Sequence, residues 1–71
     1  MSDMINIAVD AMGGDGAPKK VVDGIIHNHK SNKDNFFRIF GDEDEILKCL
    51  SNKIDKNFYQ IIHTNKIVKN T

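Results

Sequence analysis

A glycine-rich loop near the N-terminus constrains the fold of this chain more than any other feature. Residues 12–18 read Met-Gly-Gly-Asp-Gly-Ala-Pro, and three glycines in four positions cannot continue a strand. A short apolar run from Ile5 to Val9 precedes the loop, and its β-branched residues predict a buried strand over residues 4–10. The loop must therefore turn the chain out of that strand.

An amphipathic helix is predicted directly after the loop, over residues 18–30. Pro18 suits the first turn of a helix, because its missing N–H group is not needed there. Gly24 costs the helix about 1 kcal/mol relative to alanine, so we expect a close packing contact with the sheet at this position. One face holds Val21, Val22, Ile25, Ile26 and His29, and the other holds Lys19, Lys20, Asp23, His27 and Asn28.

The rest of the chain alternates between strand and helix signals. Asp42 is the expected N-cap of a second helix with an acidic first turn, which the helix dipole favours. The apolar face of that helix is expected to hold Ile46, Leu47 and Leu50. The other segments are a polar turn at 31–35, a strand at 36–40, a polar linker at 51–57, a third strand at 58–63 and residues 64–71 with no clear assignment.

Strands that alternate with helices predict an α/β fold with a parallel sheet and right-handed crossovers. Three strands and two helices cannot cover both faces and both edges of such a sheet. The sequence therefore predicts one incomplete α/β domain over residues 1–71. A domain of this size buries only about 60% of its unfolded surface, and Cys49, the single cysteine, can form no internal disulfide.

The charge balance argues against a nucleic-acid partner. Ten basic and ten acidic residues leave no net charge, so no global field attracts nucleic acid or anionic lipid. One cysteine and no secretory signal are typical of a cytoplasmic protein. The longest apolar runs are far shorter than the roughly 20 residues of a membrane span.

The glycine loop is the best candidate for a binding site. Ligands of open α/β sheets bind at the carboxyl ends of the strands, where this loop meets the N-terminus of a helix. Unpaired N–H groups there suit an anion such as phosphate, and Lys19 or Lys20 can add charge. The glycine spacing fits neither the dinucleotide fingerprint nor the P-loop. The alternative is a tight strand-to-helix turn without a ligand.

Two carboxylates and a histidine accompany the loop. Carboxylates repel a bound phosphate unless a proton or a metal intervenes, so for Asp15 we favour a structural role as an acceptor of backbone N–H groups. For Asp10 catalytic, metal-linked and structural roles stay open. His63 ends a strand and can point into a cleft, although a structural role is the alternative. His27 and His29 do not share a helix face and predict no metal site.

The stretch from Ile7 to Asp15 resembles the opening of the phosphate acyltransferase family, and Ala17-Pro18 and residues 21–24 continue the likeness. Its specific part is Asp-Ala-Met-Gly-Gly-Asp at residues 10–15. Phe40-Gly41-Asp42 and residues 61–64 resemble later family segments in the same order. The similarity runs through essentially the whole chain, but it covers only the beginning of the usual family length.

This resemblance implies an enzyme that transfers a fatty acyl group from acyl carrier protein to inorganic phosphate, giving acyl phosphate for phospholipid synthesis. It implies a three-layer, isocitrate-dehydrogenase-like sandwich, a homodimer with peripheral membrane association, and no metal or nucleotide cofactor. Carried onto this chain, the resemblance implies catalytic roles for Asp10 and Asp15, and substrate or phosphate binding by Met12, Gly13, Gly14 and His63. The alternatives are an inactive remnant or complementing half of that enzyme, or a small anion-binding module.

Overall fold

The fold is a three-stranded parallel sheet with two helices on one of its faces. The computed structural model describes residues 4–64. Its elements are β1 (Ile5–Asp10), α1 (Lys19–Ser31), β2 (Asn35–Gly41), α2 (Glu43–Leu50), a single 3₁₀ turn (Lys56–Phe58) and β3 (Tyr59–His63). The α/β class and the β-α-β-α-β order predicted from the sequence are confirmed. Residues 65–71, which had no clear assignment, lie outside the described residues.

The central strand of the sheet is β2, and β1 and β3 pair with it in parallel on either side. The register places Val9 beside Ile39 and Ile39 beside Ile61. Because side chains alternate between the two faces of a strand, these three side chains share one face. That face carries the hydrophobic core.

The core lies between this face and both helices. Ile39 at its centre is fully buried, as is Ile46 of α2. Since α1, α2 and β2 contribute to one continuous cluster, both helices lie on the same face of the sheet. The buried apolar residues are Ala11, Val22, Ile25, Ile26, Phe37, Ile39, Ile46, Leu50 and Ile54.

The opposite face of the sheet is open within the described residues. Phe36, Arg38 and Phe40 of β2 alternate with the core positions, and Gln60 and Ile62 of β3 lie beside them in register. None of these five side chains belongs to the core cluster, and Arg38 is exposed. Parallel sheets are almost always covered on both faces. Residues 4–64 therefore form two layers of the predicted three-layer sandwich.

Three expectations about single residues were wrong. Gly24 makes no close contact with the sheet, because it is exposed and a Cβ atom there would meet nothing within 4 Å. Leu47 is 43% exposed, since it lies at the margin of the face that α2 turns to the core. Ile54, in the predicted polar linker, is buried. Ser51 and Asn52 have positive φ, which ends α2 and turns the chain back toward the core.

A partly buried hydrogen bond joins the end of α1 to the start of β2. Asn35, predicted in a polar turn, begins β2 and is buried. Its Nδ2 donates to Oδ1 of Asn28 at 2.8 Å. Because a buried amide without a partner is costly, this bond stabilises the return from helix to strand.

His29 is the buried titratable group of α1. Its ring packs on Phe58 with 4.7 Å between the ring centroids, and its Nδ1 has no hydrogen-bond partner. Burial lowers the pKa of His29, and the nearby charge of Lys33 lowers it further, while Asp55 acts in the opposite direction. The folded chain therefore favours the neutral imidazole more than the unfolded chain does.

We expect His29 to make the free energy of unfolding depend on pH. Its pKa is near 6.5 in the unfolded chain and lower in the folded one, so below pH 6.5 the unfolded state binds the extra proton. Stability should fall as the pH drops from 7.5 to 5.5, by at most about 1.4 kcal/mol per pH unit. Urea unfolding at several pH values measures this slope.

The replacement His29→Phe should flatten that slope, because it keeps a ring against Phe58 and removes the titrating group. The replacement His27→Gln on the exposed side of α1 is the control, since it leaves His29 in place. A slope that survives His29→Phe would assign the pH dependence to other groups.

Candidate functional site

The three strands end level with one another at the carboxyl edge of the sheet. Asp10 lies beside Phe40, and Gly41 lies beside His63. The N–H of Ala11 donates to the Phe40 carbonyl at 2.9 Å, and the N–H of Thr64 donates to the Gly41 carbonyl at 3.0 Å. Two strand spacings separate Asp10 from His63, which puts their backbones about 10 Å apart.

The glycine loop rises from β1 at this edge. Gly14 and Gly16 have φ values of 93° and 81°, a region that residues with a side chain rarely adopt. Residues 12–16 are all exposed. The loop therefore presents backbone groups to solvent in a conformation that depends on its glycines.

The Asp10 carboxylate holds the start of the loop. Its Oδ1 accepts the N–H of Met12 at 2.9 Å, and its Oδ2 lies close to Gly13, where a Cβ atom would come within 3.2 Å. We expected this structural role at Asp15, but in the described part of the chain the loop N–H group that bonds to a carboxylate donates to Asp10, and Asp15 lies near the tip of the loop. A catalytic role for either carboxylate stays a prediction.

Two helices begin at this edge, and their N-termini differ. In α2, Asp42 Oδ1 accepts the N–H of Glu45 at 3.1 Å, which confirms the predicted N-cap. His63 Nδ1 accepts the N–H of Glu43, also at 3.1 Å, and the first turn is acidic. In α1, Pro18 precedes the helix, no side chain caps it and no acid lies in its first turn. Of the two, α1 is the N-terminus that suits an anion.

The two lysines at the start of α1 have different surroundings. Lys19 Nζ forms an ion pair with Asp23 Oδ2 at 2.8 Å, and that hydrogen bond raises the pKa of Lys19. Lys20 instead lies against the loop, because a Cβ atom at Gly16 would come within 2.9 Å of Lys20 Cδ. Lys20 is therefore the cation beside the loop, a distinction that the sequence left open.

Met12 connects the loop to the start of α2. Its side chain lies over Gly41, where a Cβ atom would come within 2.7 Å of Met12 Cγ and 3.1 Å of Ile46 Cδ1. Only glycine leaves room for this approach. Sequence reasoning named Met12 but gave Gly41 no role beyond ending the strand, because the contact joins residues that are distant in the chain.

A shallow open groove of about 270 Å³ lies between α2 and the outer edge of β3. It is lined by Glu43, Leu47, Lys56, Tyr59, Gln60 and Ile61, and no predicted site residue is among them. Within residues 4–64 no group of His, Cys, Asp and Glu side chains is placed to hold a metal ion. Neither described helix is long and apolar enough to cross a membrane.

Comparison with known proteins identifies the family. A family described as "Fatty acid synthesis protein" matches residues 5–71. The phosphate acyltransferase of Pelagibacter ubique (strain HTCC1062) is 51% identical over 71 residues, which are 100% of this chain and 21% of that protein. The chain belongs to the phosphate acyltransferase family.

Other members of the phosphate acyltransferase family are similar over nearly the same length. Those of Ligilactobacillus salivarius (strain UCC118) and Listeria monocytogenes serotype 4b (strain F2365) are 45% and 43% identical over 65 residues, or 92% of this chain. The chain covers 19% and 18% of those two proteins. It thus spans about one fifth of the length of the curated relatives it matches.

Proposed function

We propose that this chain carries the phosphate-binding loop of an acyltransferase that transfers a fatty acyl group from acyl carrier protein to inorganic phosphate. The observation that carries the proposal is the 51% identity to a phosphate acyltransferase over the whole chain. The exposed glycine loop at the carboxyl edge of a parallel sheet, where such folds bind ligands, supports it.

The proposed reaction forms one bond and breaks one. A phosphate oxygen attacks the carbonyl carbon of the acyl thioester, and the new C–O bond gives acyl phosphate. The C–S bond breaks, the carrier protein leaves as a thiolate, and the proton lost by the attacking phosphate neutralises that thiolate. An enzyme accelerates this transfer by holding the two reactants together and by stabilising the oxyanion that forms on the carbonyl oxygen.

Phosphate is proposed to sit on the α1 side of the edge. There the backbone of Gly13 and Gly14 is accessible, α1 has no side-chain cap, and Lys20 lies against the loop. The hydrogen bond from Met12 to Asp10 fixes the first residues of the loop. Asp10 thereby shapes the site, and a catalytic role for Asp15, which is exposed near the tip of the loop, is a prediction of the same proposal.

The complete reaction is proposed for a larger assembly than these 71 residues. The chain spans about one fifth of its relatives, and one sheet face is uncovered within residues 4–64. That open face favours a complementing part over an independent anion-binding module. Acyl carrier protein as the donor, a homodimer, a cytoplasmic location and peripheral membrane contact are predictions of the same proposal.

Two adjacent lysines, Lys19 and Lys20, provide a matched pair of variants that tests the phosphate site. The variant Lys20→Met should weaken phosphate binding about twofold to fivefold, since it removes an exposed cation beside the loop. The variant Lys19→Met should change it little, because Asp23 already pairs with that ammonium. Amide NMR shifts of Gly13, Gly14 and Gly16 during a phosphate titration, at ionic strength held constant with NaCl, measure the affinity.

Two results would contradict the proposed site. If the loop amide signals of the unmodified chain do not shift with phosphate, the anion does not bind at this loop. A loss of affinity in Lys19→Met equal to that in Lys20→Met would indicate general attraction to positive charge rather than a site beside Gly16.

A further inference from the structure

The hydrogen bond between α2 and His63 determines where the imidazole carries its proton. The N–H of Glu43 donates to His63 Nδ1 at 3.1 Å, so Nδ1 must offer a lone pair. A neutral imidazole that accepts at Nδ1 carries its hydrogen on Nε2, and a doubly protonated ring could not accept at all. A ring that accepts this hydrogen bond therefore presents Nε2–H as its donor.

The Nε2–H donor of His63 points away from α2, the helix that contacts the other ring nitrogen. The two nitrogens of an imidazole point in different directions, so Nε2–H is directed away from the Glu43 amide. The side chain is exposed at the end of β3, next to Gly41 in the central strand. A ligand at the carboxyl edge can thus reach Nε2–H, whereas Nδ1 is occupied.

The charges around His63 select a neutral acceptor. The first turn of α2 contains Glu43, Asp44 and Glu45, directly after Asp42. A phosphate dianion beside His63 would meet this cluster of four acids, whereas at the loop the two lysines of α1 accompany the carboxylates of Asp10 and Asp15. Like charges at short range are costly. The group suited to Nε2–H is therefore uncharged in its ground state.

We propose that His63 Nε2–H donates a hydrogen bond to the carbonyl oxygen of the acyl thioester, on the opposite side of the central strand from the phosphate. The inference rests on the proposed function. The hydrogen bond positions the thioester carbonyl for attack by the phosphate oxygen. The loop and His63 then hold the two reactants over Gly41 and Met12.

A pair of substitutions separates the two nitrogens of the ring. The side-chain oxygen of asparagine can take the place of Nδ1, so His63→Asn keeps the acceptor for Glu43 and loses the distant donor. The amide nitrogen of glutamine can take the place of Nε2, so His63→Gln keeps the donor and loses the acceptor. Thermal unfolding reports the contact with α2, and thioester binding reports the donor.

The probe is the acetyl thioester of N-acetylcysteamine, and the matching thioether without a carbonyl is its control. Long-range ¹H–¹⁵N spectra should show His63 protonated on Nε2 and should show Nε2 shifting with the thioester but not the thioether. His63→Asn should unfold at an unchanged temperature and bind the thioester about threefold to tenfold more weakly. His63→Gln should unfold at a lower temperature and bind nearly as the unmodified chain does.

The other possible outcomes contradict either this inference or the proposed function. Equal thioester binding by His63→Asn and the unmodified chain, or equal binding of thioether and thioester, would reduce His63 to a cap for α2. A His63 signal that follows phosphate instead would put the anion on β3. If the loop amide signals shift with phosphate but the His63 signal does not shift with the thioester, only this inference is wrong. If the loop amide signals do not shift with phosphate, the proposed function is contradicted.

Discussion

Replacing Ile54 with alanine should lower the free energy of unfolding by about 2–5 kcal/mol, although Ile54 stands in a run of polar residues. Its side chain is 3% exposed and belongs to the core cluster between the sheet and the helices. Truncation removes apolar contacts and leaves a cavity that the neighbouring strand and helices fill only in part. A complete domain of this length has roughly 4–10 kcal/mol of stability in total, so the expected loss is a large fraction of it.

Leu47→Ala is the matched control for this prediction. Leu47 belongs to α2 and has the stronger sequence claim to the core, but it is 43% exposed. Its truncation should cost less than about 1 kcal/mol. Urea unfolding followed by circular dichroism measures both losses. If Ile54→Ala is too unstable to fold, Ile54→Val should still cost about 0.5–1.5 kcal/mol. A larger loss of stability for Leu47→Ala than for Ile54→Ala would contradict this description of the core, because the core would then lie on the Leu47 side of α2.

The contrast between Ile54 and Leu47 shows how far periodicity carries a prediction. Strands and helices were predictable because each repeats a pattern, β-branched runs in β1 and helical spacing in α1. Ile54 has no such pattern around it. It reaches the core because α2 ends at Ser51 and Asn52, whose positive φ values reverse the chain. Nothing in the polar run from Ser51 to Asn57 indicates where that reversal places one isoleucine.

The candidate site also has some features that the sequence predicts and others that it does not. The glycine loop was predictable, because several glycines between a strand and a helix signal a tight turn that exposes backbone. The contact from Glu43 to His63 joins residues 20 apart and exists only because Gly41 pairs with His63 in the sheet. Similarly, the different surroundings of Lys19 and Lys20 follow from a loop conformation that the order of residues does not specify. Contacts across strands need the register, which local patterns leave open.

Gly41→Ala should lower the free energy of unfolding by about 1–3 kcal/mol, because the added methyl group overpacks a filled space. The Cβ atom would lie 2.7 Å from Met12 Cγ, 2.9 Å from Met12 Sδ and 3.1 Å from Ile46 Cδ1. Met12 is 46% exposed and can swing aside, but Ile46 is fully buried and cannot. Moving Met12 also shifts the glycine loop, so the amide NMR signals of Gly13 and Gly14 should change with the stability.

A double variant tests whether Met12 is the cause. Met12→Ala removes both atoms that the new methyl group would strike, so Gly41→Ala with Met12→Ala should recover about 0.5–1.5 kcal/mol of the loss. The remainder belongs to Ile46 and to the backbone of Gly41, whose φ of 158° is rarely adopted by residues with a side chain. Gly24→Ala is the control for the chemical change alone. Its Cβ atom meets nothing within 4 Å on the exposed side of α1, so it should raise stability by about 0.5–1 kcal/mol.

The two glycine variants are expected to change the free energy of unfolding in opposite directions. Both add one methyl group, but one enters open solvent on a helix and the other enters the junction of loop, strand and α2. If Gly41→Ala stabilised the chain as Gly24→Ala does, Met12 could not be packed on Gly41, and the loop would be free of the central strand. If the double variant recovered nothing, the cost would lie in Ile46 and in the backbone of Gly41 rather than in Met12. Recovery by Met12→Ala, together with moved loop signals, would establish that Gly41 positions the proposed phosphate loop through Met12.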